Sequence, residues 1–141
     1  MDKNVWGPPY WFTLHTIAMT YPEFPNETIK KKYYDFIQNI PLFIPNRNMG
    51  NYFLQLLDKY PVTPYLSDRL SLMKWFHFIH NKINVQTGKT EMSFHDSLES
   101  YYSNYKPKEV IYKEKNKNKI KYIQIGTLIG LFFLIIYIYK K

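Results

Sequence analysis

Residues 72–89 read LMKWFHFIHNKINVQTGK. Leu72, Phe76, Ile79, His80 and Ile83 recur at the period of an α-helix and share one face of it, and the helix is expected to start after Ser67. At its far end His80, Asn81 and Asn84 cluster, with Lys89 just beyond Gly88. An apolar helix that ends in an imidazole, two amides and an ammonium group is a candidate site as well as a core element.

The segments on either side read the same way. Pro8 and Pro9 can open a first helix through Trp11, Leu14, His15 and Ala18, stopping before Tyr21-Pro22. Asn26 suits the N-cap of a second helix, whose apolar positions are Ile29, Tyr33, Phe36, Ile37 and Ile40 and which Pro41 is expected to end. A PNRNMG turn precedes a third helix marked by Phe53, Leu56, Leu57 and Tyr60 and closed by Pro61. Ser93 and Asp96 have capping-box spacing at the start of a fifth, through Leu98, Tyr101 and Tyr105. No segment alternates as a strand does. The fold class is all-α: a compact bundle of four or five helices, large enough at about a hundred residues to bury a real core.

Charge divides the chain. Residues 1–105 hold 10 Lys and Arg against 9 Asp and Glu, whereas residues 106–141 hold 9 Lys against 2 Glu. The nearly neutral bundle, without lysines interleaved among exposed aromatics, argues against nucleic acid as a partner. The chain therefore reads as a domain at 1–105, a basic linker at 106–121 and a transmembrane helix at 122–139. That last segment, YIQIGTLIGLFFLIIYIY, has 18 residues without a charge, about 27 Å as a helix. Tyrosines end it on both sides, and Lys140 and Lys141 close it. Seven lysines precede the span and two follow it, so the positive-inside rule puts the N-terminal domain in the cytosol, as in a single-pass, tail-anchored protein. MDKNVWGPPYWF lacks the apolar run of a signal peptide.

His15 follows Trp11 by four residues, which puts both on one face of the first helix. If that face meets the end of the fourth helix, two histidines, two amides, a lysine and several aromatic rings converge. Such a set suits a flat, polar-edged, phosphate-bearing cofactor: aromatic walls for rings, amides and imidazoles for ring edges and ribose, a lysine for pyrophosphate. The alternative is that both histidines are ordinary core or cap residues. No metal-ligand spacing accompanies them, and no catalytic triad, nucleophile elbow or glycine-rich phosphate loop is present.

WGPPYWFTLHTIAMTYPEFP followed by HNKINVQTGK resembles the Erv/ALR family of flavin-linked sulfhydryl oxidases, where a WGxxxWxxxH segment opens the domain and HNxxNxxxGK follows the fourth helix. The likeness covers roughly residues 4–105. It implies a helical bundle that binds FAD in its mouth and converts thiols and O2 to disulfide and H2O2. It also implies that Gly7, Trp11, His15, His80, Asn81, Asn84 and Lys89 line the cofactor, with Tyr101 beside the adenine. Members commonly pair as homodimers through the first two helices, which the aromatic face of Tyr33, Tyr34 and Phe36 would allow. Short forms occur in large DNA viruses, so a viral origin and a host or virion membrane are consistent with the likeness.

At the redox centre the resemblance fails. The family's P-C-x-x-C-x-x-x-F motif is replaced here by PNRNMGNYF from Pro45 to Phe53, with Asn46 and Met49 in the cysteine places, and the chain contains no cysteine. An amide and a thioether cannot supply the attacking and resolving thiolates. Three readings follow: an FAD-binding homologue that is redox-inactive, alone or paired with a cysteine-bearing homologue; an active thiol oxidase whose cysteines were replaced in this chain; and a membrane-tethered interaction module without flavin.

Overall fold

Tyr21, Leu72, Trp75, Phe76 and Ile79 are fully buried and hold together the core of an all-helical protein. The computed structural model describes residues 1–140, and the side chains of all of these except 108, 109, 111 and 114. The helices are α1 (Lys3–Met19), α2 (Glu27–Phe43), α3 (Arg47–Lys59), α4 (Arg69–Gln86), α5 (Phe94–Ser103) and α6 (Lys108–Tyr139), with a short 3-10 helix at Thr63–Tyr65; there is no strand among the described residues. The chain divides into two compact units, Met1–Tyr101 and Tyr102–Lys141.

In the first unit α1 packs on α4 and α2 on α3. Buried polar groups along these seams find partners: the Tyr21 hydroxyl donates to the Leu66 carbonyl at 2.9 Å and Trp75 Nε1 to the Tyr60 carbonyl at 3.0 Å. The helix starts follow capping chemistry. Asn26 Oδ1 accepts from Ile29 N at 2.9 Å, Asp68 Oδ1 from Ser71 N at 2.8 Å, and Ser93 Oγ from Asp96 N at 3.1 Å.

Pro61 follows the end of α3 as expected, but Pro8, Pro9 and Pro41 do not set the boundaries expected of them. Asp2 caps α1 six residues ahead of Pro8, accepting from Asn4 N at 2.9 Å, so Pro8 and Pro9 lie inside the helix. Pro41 lies inside α2, which continues to Phe43. The PNRNMG segment is mostly helix: Asn46 Oδ1 accepts from Met49 N at 3.0 Å, and α3 starts at Arg47. Tyr33 turns inward, edge-on to Tyr21 with ring centroids 4.5 Å apart, while Tyr34 and Phe36 are exposed. Tyr105 falls beyond the end of α5 and is exposed.

In the second unit, α6 is a single helix of 32 residues. From Lys108 on, the basic segment read as a linker at 106–121 is thus part of this helix. The stretch Lys115–Tyr139 is long and apolar enough to cross a membrane, and none of it is buried. Lys141 lies outside the described residues.

Gly50 is the one buried glycine among the described residues. A Cβ there would stand 2.7 Å from the Pro41 carbonyl oxygen, a backbone atom that cannot swing aside. This glycine lets α3 approach the end of α2. Gly50→Ala is expected to destabilise the first unit by about 1–3 kcal/mol, the usual range for overpacking, measured as a lower urea midpoint; an unchanged midpoint would show that α2 and α3 separate freely here.

Candidate functional site

The C-terminal end of α4 is built by a glycine. Gly88 has φ +79°, the left-handed region that favours glycine. The Lys89 N–H reaches back to the Asn84 carbonyl at 2.8 Å and the Gly88 N–H to the Val85 carbonyl at 3.1 Å, the two hydrogen bonds of a Schellman motif. The five-residue interval between Asn84 and Lys89 is therefore fixed by backbone geometry, which folds the lysine back over the last turn.

Beside this turn is a cleft of about 440 Å³ lined by His77, His80, Asn81, Asn84, Lys89, Thr90, Met92 and Ser97. Asn81 is committed to holding one wall: its Nδ2 donates to the Met92 carbonyl at 2.8 Å and its Oδ1 accepts from Met92 N at 3.1 Å. Lys82 is paired with Glu91 at 3.2 Å. In contrast, Lys89 has no ion-pair partner among the described residues, and the side-chain amide of Asn84 has no hydrogen-bond partner among them. One cation and one amide in the cleft are thus without a protein partner among the described residues.

From α1, Trp11 and His15 close on the other side of His80. The Trp11 and His80 rings stack with centroids 3.9 Å apart and 7° between planes. His15 Nε2 and His80 Nδ1 are 3.0 Å apart, so a single proton lies between the two rings. Burial pushes the His15 imidazole down to about 4, with the charge of His77 as a second cause. Burial takes His80 down to about 3, reinforced by the charges of His15, His77 and Lys89. Burial also lowers His77. Both members of the pair are neutral at physiological pH, one donating and the other accepting, with the outward ring nitrogens left for a further polar group.

The remaining expected residues lie elsewhere. Tyr101 is buried against α1, its ring stacked on Phe12 at 5.1 Å and its hydroxyl 2.8 Å from Thr16 Oγ1. Gly7 is half-buried near the start of α1, with no atom within 4 Å of an added Cβ, so space alone does not require glycine there. Neither lines the cleft, and Trp11 and His15 meet it only through His80. Sequence reading overlooked His77, although it lies one helical turn before His80 and Asn81 and its Nε2 is 3.2 Å from Asn81 Nδ2. Trp6, the first residue of the WGxxxWxxxH segment, was not among the expected site residues; its Nε1–H is buried without an acceptor among the described residues, beside Tyr10. The Tyr10 hydroxyl donates to the Phe43 carbonyl, tying α1 to the approach to α3. At that approach Asn46 is exposed as the N-cap, and Met49 is partly buried against the core.

The model of the Erv1/Alr family matches residues 8–106. The chain belongs to that family. A "Probable FAD-linked sulfhydryl oxidase" of Acanthamoeba polyphaga mimivirus is 33% identical over 110 residues, covering 77% of each chain. The FAD-linked sulfhydryl oxidase of an African swine fever virus isolate is 27% identical over 117 residues, covering 83% of this chain and 87% of its own. Among solved structures, the yeast Erv1 core superposes with a TM-score of 0.64 at 22% identity, over 75% of this chain and 85% of that one. This last likeness bears on the fold alone. The matched Erv1/Alr region contains both the α1–α4 seam and the α3 start where Asn46 and Met49 lie.

The neutral pair sets a pH dependence. Both folded-state values lie below the ordinary 6.5 of an unfolded histidine, so protons bind the unfolded chain more readily. The stability contributed by the pair is complete above about pH 6.5 and is lost as pH falls toward 4, by up to about 1.4 kcal/mol per pH unit for each ring. Urea midpoints measured from pH 7.5 to 4.5 are expected to fall, and the slope to shrink by roughly half in His15→Gln. A flat profile in the unmodified protein would mean that the imidazoles ionise as they do in water.

Proposed function

We propose that this protein is a membrane-anchored, FAD-binding member of the Erv1/Alr family that does not itself oxidise thiols. The observation that carries the proposal is a contrast within one domain. The cleft at the end of α4 keeps an unpaired Lys89 and Asn84 beside a neutral imidazole pair, whereas the cysteine places hold a capping amide and a thioether.

The donor set fits the cofactor. Lys89, held by the Gly88 turn, supplies the charge for a pyrophosphate; the Asn84 amide and the outward edge of His80 supply hydrogen bonds; Trp11 and His15, which do not line the cleft, back His80 from α1. Gly7, Asn81 and Tyr101 act at one remove in this reading, Asn81 by clasping the cleft wall and Tyr101 by fixing α1. The FAD named for the viral relatives supports the assignment. Bound FAD supplies a two-electron acceptor that O2 can reoxidise. Delivering electrons to it from a dithiol needs one thiolate to attack and another to resolve. Asn46 cannot do this, and its side-chain Oδ1 already accepts from Met49 N. A cysteine-bearing homologue, or a second copy used as a scaffold, fits the exposed Tyr34 and Phe36 of α2. The apolar half of α6 serves as the anchor, and the excess of lysine before it favours a cytosolic domain.

Full-length protein purified in detergent is expected to carry FAD in about stoichiometric amount and to consume no oxygen with dithiothreitol beyond the free-flavin background. A well-folded, colourless protein that gains no flavin on reconstitution would refute cofactor binding. Asn46→Cys with Met49→Cys should restore oxidase activity, either single change giving little, at a stability cost of about 1 kcal/mol for the lost cap. Activity in the unmodified chain would refute redox inactivity.

Deleting residues 119–141 is expected to move the protein from the membrane pellet to the soluble fraction, because about 18 apolar residues supply the anchorage. Persistence in the pellet after a high-salt wash would remove the anchor from the proposal.

A further inference from the structure

We propose that the basic first half of α6 is a collar for anionic phospholipid headgroups, a function that rests on the anchor reading and adds lipid selectivity to it. Lys113, Lys115, Lys117, Lys119 and Lys121 alternate through KEKNKNKIK, with Glu114 the only acid. All five lysines are exposed, and none has an ion-pair partner among the described residues.

Their angular placement selects the geometry. At about 100° per residue, Lys113, Lys117 and Lys121 follow one another down one face, while Lys115 and Lys119 take the opposite face. A helix lying flat in the interface keeps its cations on one side and its apolar residues on the other. Charge on both sides suits a helix that stands upright, with headgroups all around it. The structure supplies that continuity: α6 runs from Lys108 to Tyr139 without a break, so the helix bearing the lysines is the helix bearing the span.

Height decides which lysines contribute. With a rise of about 1.5 Å per residue, Lys119 is about 3 Å, Lys117 about 6 Å and Lys115 about 9 Å above Lys121. These distances are comparable with the Debye length of about 8 Å at physiological salt, so the surface potential of an anionic leaflet reaches most of the collar. Helical side chains lean toward the N-terminus, here the direction away from the span. Lys121 and Lys119, at the hydrocarbon edge, therefore lift their ammonium groups into the headgroup layer. Tyr122 lies beneath them at the depth where tyrosine is favoured.

The test reconstitutes full-length protein in phosphatidylcholine vesicles with a trace of spin-labelled phosphatidylserine or spin-labelled phosphatidylcholine, and compares the motionally restricted fractions. The serine lipid is expected to be enriched about threefold at low salt, falling toward parity at high salt as the lysines are screened. A variant carrying Lys113→Gln, Lys115→Gln, Lys117→Gln, Lys119→Gln and Lys121→Gln is expected to remain in the vesicles with no enrichment. Parity in the unmodified protein, or enrichment that survives the five substitutions, would overturn the collar and leave the anchor standing. Loss of the unmodified protein from the vesicles on an alkaline wash would overturn the anchor, and the collar with it.

Discussion

The seam between α1 and α4 is made by three rings. Trp11 stacks flat on His80, and His80 shares a proton with His15. Two imidazoles at this distance cannot both be charged, since the two cations would oppose each other, and burial holds even a single charge off the pair. The apolar surroundings that keep them neutral are the core itself: Leu14 and Ala18 on α1, Phe76, Ile79 and Ile83 on α4. Folding and site chemistry thus depend on the same burial. The packing that dries the seam also leaves its nitrogens available as hydrogen-bonding edges.

Much of this was legible in the chain because it follows from local rules. Helical periodicity placed the five helices of the bundle, and Asn26 and Ser93 announced their starts through side-chain oxygens that accept backbone N–H groups. HNKINVQTGK was legible because a Schellman turn is short-range: Gly88 reverses the chain and Lys89 returns to Asn84 within the same ten residues. Errors arose where a residue's role is tertiary. Gly50 looked like turn punctuation, whereas it is small because the Pro41 carbonyl passes over it. Pro8 and Pro9 looked like a helix start, but Asp2 had already capped the helix. Asn81 lines the cleft, but that its amide also closes on Met92, eleven residues later, was not legible from spacing. Tyr101 finds its partners on α1, a contact that local spacing does not reveal.

The division between the two units separates two physical problems. The first must bury apolar surface against itself, and does so around Trp75 and Phe76. The second is a helix with exposed apolar residues along its length, such as Leu131, Phe132, Phe133 and Ile135. Apolar residues all around a helix call for a partner or a bilayer. The bundle already has a core of its own.

The cap at Asn46 gives the position a second use. An asparagine that holds the first turn of α3 contributes to folding whether or not any electron moves through the domain. On the proposed reading, a lineage that placed a thiol there would lose the cap in every folded molecule and would gain no thiol oxidation until a second thiol replaced Met49. The intermediate sequences are then less stable and still inert. The amide thus makes the change self-entrenching, because selection for folding alone is enough to keep it in place.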